Sequence, residues 1–171
     1  FIRNPATTEV EYMEIISRKT AMLFQAAAHA GAVLAGANEK TEHALRDYGL
    51  HLGIAFQMVD DQLDYLGTPE ELGKNIGDDL AEGKVTLPLI VAMRNGQPDQ
   101  KAFVEDAIRN GGVENLPEMI QLVKATDALK YTSEQANTER CEAMACLNNV
   151  ADSEFKDSMN TLVNFVVDRH H

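Results

Sequence analysis

Apolar residues recur at helical spacing almost from end to end of the chain, and no segment alternates as a half-buried strand would. Thr7 or Thr8 can cap a first helix, with Glu9 and Glu11 in its opening turn. Its apolar stripe passes through Met13, Ile16, Leu23 and Phe24 into Ala26-Ala27-Ala28 and ends near Gly36. From Ala26 to Ala37 nearly every side chain is small, so this stretch is expected to lie buried against neighbours or a subunit partner. A second helix is expected to start between Asn38 and Thr41 and run to Leu66, where Gly67-Thr68-Pro69 stops it. At 1.5 Å per residue it would be ~40 Å long.

Residues 67–85 read as a polar loop rich in glycine and acids. Helical patterns resume at Leu87–Met93, Asp99–Ile108, Leu116–Lys124, Asp127–Leu147 and Asp152–Val167. Gly96-Gln97-Pro98, Gly111-Gly112 and Pro117 are the expected breakers. With no internal repeat and no dividing linker, the expectation is an all-α protein in which residues 1–171 form one unit.

Charge narrows the partners. The 171 residues carry 27 acids against 15 lysines and arginines, a formal net charge of −12. Nucleic acid and anionic membranes call for basic stripes and are disfavoured as main partners. No apolar run approaches the ~20 residues of a membrane span, and no signal peptide opens the chain, which predicts a cytoplasmic location. The cysteines, Cys141 and Cys146, match neither a CxxC site nor a disulfide framework. Phe1 and the Asn-Pro turn after it suit a processed start or the later part of a longer chain. His170 and His171 are assigned no role.

The acids are not spread evenly. Residues 57–84 hold eight of them against Lys74 and Lys84, half of the net charge in 28 positions. The densest part is Gln57-Met58-Val59-Asp60-Asp61-Gln62-Leu63-Asp64. On a helix Asp60 and Asp64 are one turn apart with Asp61 beside them, and Gln57 lies one turn earlier on the same side. Like charges at that spacing cost about 0.2–0.5 kcal/mol per pair. At a helix C-terminus the dipole adds roughly 0.3–1 kcal/mol per carboxylate. A hard cation would reverse both terms, and magnesium takes carboxylate oxygens and completes its shell with waters and phosphates. The cluster therefore reads either as a solvated acidic face or as one jaw of a magnesium–diphosphate site.

Cations for such a site are at hand. Lys19 interrupts an apolar stripe of Ile15, Ile16, Met22 and Leu23. It can snorkel, or meet a phosphate beside the Thr20 hydroxyl. Gly73-Lys74 and Gly83-Lys84 pair an ammonium with a flexible residue, and Asp78-Asp79 between them can orient those lysines. Glu70, Glu71 and Glu82 read as solvent-exposed charge. His29, His43 and His51 show no metal-ligand spacing, and the seven methionines suit core filling or an apolar channel.

FQxxDDxLDY at 56–65 and LGKNIGDDLAEGKVTLPLIVAM at 72–93 resemble the second aspartate-rich region of the trans-polyprenyl diphosphate synthases. SRKTAMLFQAAA at 17–28 resembles the segment that precedes it in that family. The resemblance implies the all-α isoprenoid synthase fold around a deep apolar cavity, and magnesium-dependent condensation of an allylic diphosphate with isopentenyl diphosphate. It also implies a homodimer and a long, octaprenyl product of the kind used as a ubiquinone side chain. Asp60, Asp61 and Asp64 would be metal-binding and catalytic. Lys19, Thr20, Gln57, Lys74 and Lys84 would contact the diphosphate or the shell around it, with Lys19 also catalytic.

The family's first aspartate motif, with the arginine pair that follows it, has no counterpart here. The chain thus looks like a C-terminal half, expected to be inactive alone and to expose apolar faces that invite oligomerisation. Two other classes stay open: a non-catalytic partner subunit of a prenyltransferase, and another class I terpenoid enzyme.

Overall fold

The computed structural model describes residues 2–66 and 77–169, and among them every regular element is a helix. α1 spans Glu9–Ile16, a π-helical turn covers Ser17–Ala21, and α2 spans Met22–Leu34. α3 is Glu39–Leu66, α4 Asp78–Ala81, α5 Leu87–Asn95 and α6 Pro98–Asn110. α7 is Leu116–Ala125, α8 Ala128–Cys146 and α9 Glu154–Asp168. None of them is long and apolar enough to cross a membrane.

The local chemistry explains the helix starts. Thr8 and Glu11 form a reciprocal capping box: the Glu11 N–H donates to Thr8 Oγ1, and the Thr8 N–H to Glu11 Oε2 at 2.7 Å. The Thr8 N–H and the Thr8 hydroxyl, which donates to the same Oε2 at 2.9 Å, hold the Glu11 carboxyl below its ordinary value. Asn38 caps α3 by accepting the Thr41 N–H on Oδ1 at 2.9 Å. Pro117, expected as a breaker, sits in the first turn of α7, where its missing N–H leaves no intrahelical bond unmade. The expected polar loop also contains a helical turn, α4, and its residues 67–76 lie outside the described residues.

The chain forms two compact units. The first comprises residues 1–12 and 60–134. Its centre is α5, whose residues Leu87 to Met93 are all buried and which packs against α6 and α7. An apolar surface all round suits a helix enclosed on every side.

The second unit comprises residues 13–59 and 135–171. Its core joins Tyr48 and Leu52 of α3 to Ala143, Leu147, Val163 and Val166, with Phe24, Phe56 and Met159 around them. The Tyr48 hydroxyl donates to the Met159 carbonyl at 3.0 Å, and burial pushes that phenol up to about 12.

The first helix runs on to Leu34, with one wide π turn where the Met22 N–H reaches back to the Ser17 carbonyl. One expectation for this second unit needs correction: the small residues from Ala26 to Ala37 do not form a seam buried against neighbours within the chain. Only Ala32 of α2 is buried, while Leu23 and Leu34 are 72% and 88% exposed. The close approach lies a turn or more earlier and owes its geometry to α3. A Cβ on Gly53 would stand 2.5 Å from Ala21 Cα, and one on Gly49 2.5 Å from the Phe24 carbonyl oxygen. The backbones meet because α3 has no side chain at those two positions.

Candidate functional site

In the first unit α3 ends in carboxylates that its neighbours enclose. Asp61 is 3% exposed and Asp64 0%, while Asp60 is half-buried. A solvated acidic face is therefore not what these residues form. Burying a carboxylate is costly unless hydrogen bonds meet it, and two come from distant sequence. Tyr12 donates its hydroxyl to Asp61 Oδ2 at 2.7 Å. The Asp79 N–H points to Asp64 Oδ2 at 3.3 Å. Asp79 is itself buried, and its Oδ1 accepts the Lys84 ammonium at 2.8 Å. Lys84 also pairs with exposed Glu82.

Two buried phenols report how the charges converge. Burial, then the charges of Asp61, Asp79 and Asp60, pushes Tyr12 well above its ordinary value. Tyr65, buried beside Thr86, is raised by burial and then by Asp64, Asp79 and Asp61. Of the two, Tyr12 has the observed acceptor, Asp61 Oδ2. Burial alone would lower the Lys84 ammonium, but its bonds to Asp79 and Glu82 outweigh that and hold it above its usual value.

Of the cations expected in the first unit, Lys84 is oriented by Asp79, and Lys74 lies outside the described residues. In the second unit Thr20 and Gln57 meet directly, Thr20 Oγ1 donating to Gln57 Oε1 at 2.9 Å. Gln57 follows Gly49 and Gly53 at four-residue spacing, so the seam that admits Ala21 also brings Thr20 to it. Lys19 is exposed in the π turn, as the snorkelling alternative has it, and Met22 and Leu23 beside it are exposed as well, so the stripe it interrupts is not enclosed on that side.

His29 and His51 are paired with Glu42 and Glu139 at 2.6 and 2.7 Å. Both cysteines are free. Tyr12 and the direct bond from Asp79 to Asp64 escape a reading of the sequence, since each is set by packing between segments 15 to 49 residues apart. The one available signal for Tyr12 was an aromatic on the face of α1 that also carries Ile16.

The donors at the end of α3 are all carboxylate oxygens, the set that suits a hard divalent cation. Among the described residues no three or more His, Cys, Asp or Glu side chains are arranged to hold a metal unaided. Magnesium needs no such cage, since it commonly takes one or two carboxylates and fills its shell with waters and phosphate oxygens. The residues fit a cation shared with a diphosphate.

Known proteins place this architecture. The helical fold is that of the isoprenoid synthases. A solved polyprenyl synthase from Caulobacter crescentus, complexed with calcium and isoprenyl diphosphate, superposes with a TM-score of 0.94 at 40% identity. The match covers 99% of this chain and 52% of that one. The family model for polyprenyl synthetase matches residues 2–125, and the chain belongs to that family. It is 43% identical to the octaprenyl diphosphate synthase of Haemophilus influenzae over 171 residues, 99% of this chain and 52% of that protein. It is 42% identical to the geranyl-diphosphate-specific all-trans-nonaprenyl-diphosphate synthase of Rhodobacter capsulatus over 165 residues, 96% and 50% of the two. The chain thus spans about half the length of the curated relatives it matches.

Proposed function

We propose that residues 1–171 are the C-terminal part of a trans-prenyltransferase domain whose whole protein joins an allylic diphosphate to isopentenyl diphosphate. The observation that carries this reading is the enclosure of Asp61 and Asp64 in the last two turns of α3. There helix dipole, mutual repulsion and desolvation all oppose them. A scaffold subunit gains nothing from carboxylates so placed, whereas an enzyme that handles a diphosphate does.

Asp60, Asp61 and Asp64 would hold magnesium, which when bound supplies Lewis-acid polarisation and neutralises charge on the departing diphosphate. The calcium and isoprenyl diphosphate held by the Caulobacter relative support that assignment. Lys84, steered by Asp79, stabilises the negative charge that grows as the carbon–oxygen bond of the allylic substrate breaks. Thr20 and Gln57, bonded to each other, are assigned to the diphosphate or its waters by the family likeness. Lys19, exposed to solvent, and Lys74 both enter through the family likeness alone. An octaprenyl product rests on the likeness to the Haemophilus protein, and the nonaprenyl relative marks how close the neighbouring length lies. A homodimer is supported by the open apolar side chains of α2.

The test is Asp60→Ala in the full-length protein. Turnover should fall by at least about a hundredfold, with little change in melting temperature when magnesium is absent. Unchanged turnover and unchanged magnesium dependence would remove the metal role. The 171 residues produced alone should show no magnesium-dependent elongation.

A further inference from the structure

We infer that Tyr12 is a positioning residue for Asp61: its hydroxyl takes one carboxylate oxygen and so fixes the orientation in which Asp61 meets its ligand. The inference rests on the metal-binding reading of Asp61 given above and adds a residue to it.

Both partners are sealed from solvent, Tyr12 at 2% exposure and Asp61 at 3%, and their 2.7 Å contact is short enough for a bond between a neutral O–H and an ionised carboxylate.

The phenol is also held from behind. One turn before Tyr12, Glu9 accepts the Tyr131 hydroxyl at 2.6 Å on Oε1 and an Arg94 N–H at 2.9 Å on Oε2. The Arg94 guanidinium stacks over the Tyr131 ring at 4.5 Å, and Thr8 caps the same turn. α1 therefore enters the first unit with its opening turn clamped to α5 and α8, and Tyr12 follows on the clamped face. A rigid ring with two torsions, anchored this way, fixes a carboxylate better than a flexible side chain would. Partners of this kind behind ligating groups typically contribute 10–100-fold to metal affinity.

The experiment uses full-length protein carrying Tyr12→Phe, which removes one oxygen and preserves the ring that fills the core. Magnesium is titrated in the presence of inorganic pyrophosphate and followed by calorimetry, with Asp61→Ala and the double variant measured beside it. The expected result is magnesium binding weakened about 10–100-fold in Tyr12→Phe. The magnesium concentration for half-maximal turnover should rise in step, with no change in KM for isopentenyl diphosphate. The double variant should bind no more weakly than Asp61→Ala alone.

If Tyr12→Phe lowers only the melting temperature and leaves the isotherm unchanged while Asp61→Ala weakens it, Tyr12 is a packing residue and the inference is overturned. An isotherm unchanged in Asp61→Ala would overturn the metal reading itself, and the inference with it.

Discussion

Helix α3 carries two neighbouring stretches that solve opposite problems. From Gly49 to Gln57 the helix is stripped of side chains at two positions, and the backbone of the preceding segment comes in to touch it. From Asp60 to Asp64 it is loaded with charged side chains where the helix dipole disfavours them, and buried donors gather around those. At Gly49 and Gly53 the first stretch is shaped by packing, and an intrusion there should register first as lost stability. The second is kept against local energetics, and its removal should register in chemistry. A single helix of 28 residues thus carries a close-packed seam and a costly carboxylate cluster within a few turns of each other.

The sharpest way to break that division is Gly53→Ala. Helix propensity alone favours alanine by about 0.5–1 kcal/mol, but the new Cβ would fall 2.5 Å from Ala21 Cα and 2.9 Å from Ala21 Cβ. Overpacking of this kind costs roughly 1–3 kcal/mol, and the neighbour is backbone and cannot swing aside. A net loss of about 1–2 kcal/mol in denaturant unfolding is expected, and Thr20 should move off Gln57. Gly31→Ala on α2 is the control, since nothing lies within 4 Å of its Cβ position. It should gain about 0.5–1 kcal/mol while that face is open. A loss at Gly31 would mean that something covers α2 in solution.

These two glycines also show where the sequence was legible. The helices were readable from period and caps, and Asn38 and Thr8 fall where side-chain chemistry places them, while the expected stop at 67–69 lies outside the described residues. The aspartate cluster was readable because its local energetics are wrong for a bare helix. What composition could not show was contact. Small residues at 26–37 suggested a seam, yet the seam formed where α3 had Gly49 and Gly53 to offer, and α2 kept its apolar side chains exposed. A π turn has no signature in residue type, so the slip at Ser17–Ala21 was invisible, and with it the exposure of Lys19. Tyr12 found Asp61 across 49 residues for the same reason. Pairings of that range are decided by the fold rather than by neighbours in the chain.

A milder probe acts at the far end of α3. Asn38→Ala deletes the cap on the Thr41 N–H and should lower stability by about 1 kcal/mol in equilibrium unfolding. Magnesium dependence of the full-length protein should not change, because the cap and the carboxylates stand at opposite ends of the helix. A shift in magnesium affinity would show that the two stretches are coupled after all.

The smallest expected effect lies within the packed stretch itself. His51 Nδ1 meets Glu139 Oε2 at 2.7 Å, a half-buried pair linking α3 to α8. That bond raises the imidazole above its ordinary value, against a partial opposition from burial. A folded value above the unfolded one near 6.5 means the stabilisation is complete below about pH 6.5. It fades as pH climbs through the folded value. Stability of the wild type relative to His51→Gln should therefore be greater at pH 6 than at pH 9, when both are unfolded in urea across that range. A pH-independent difference would mean that the contact works as a neutral hydrogen bond. The Gly49–Gln57 stretch would then hold its helices together without any contribution from charge, which would make its contrast with the aspartate end complete.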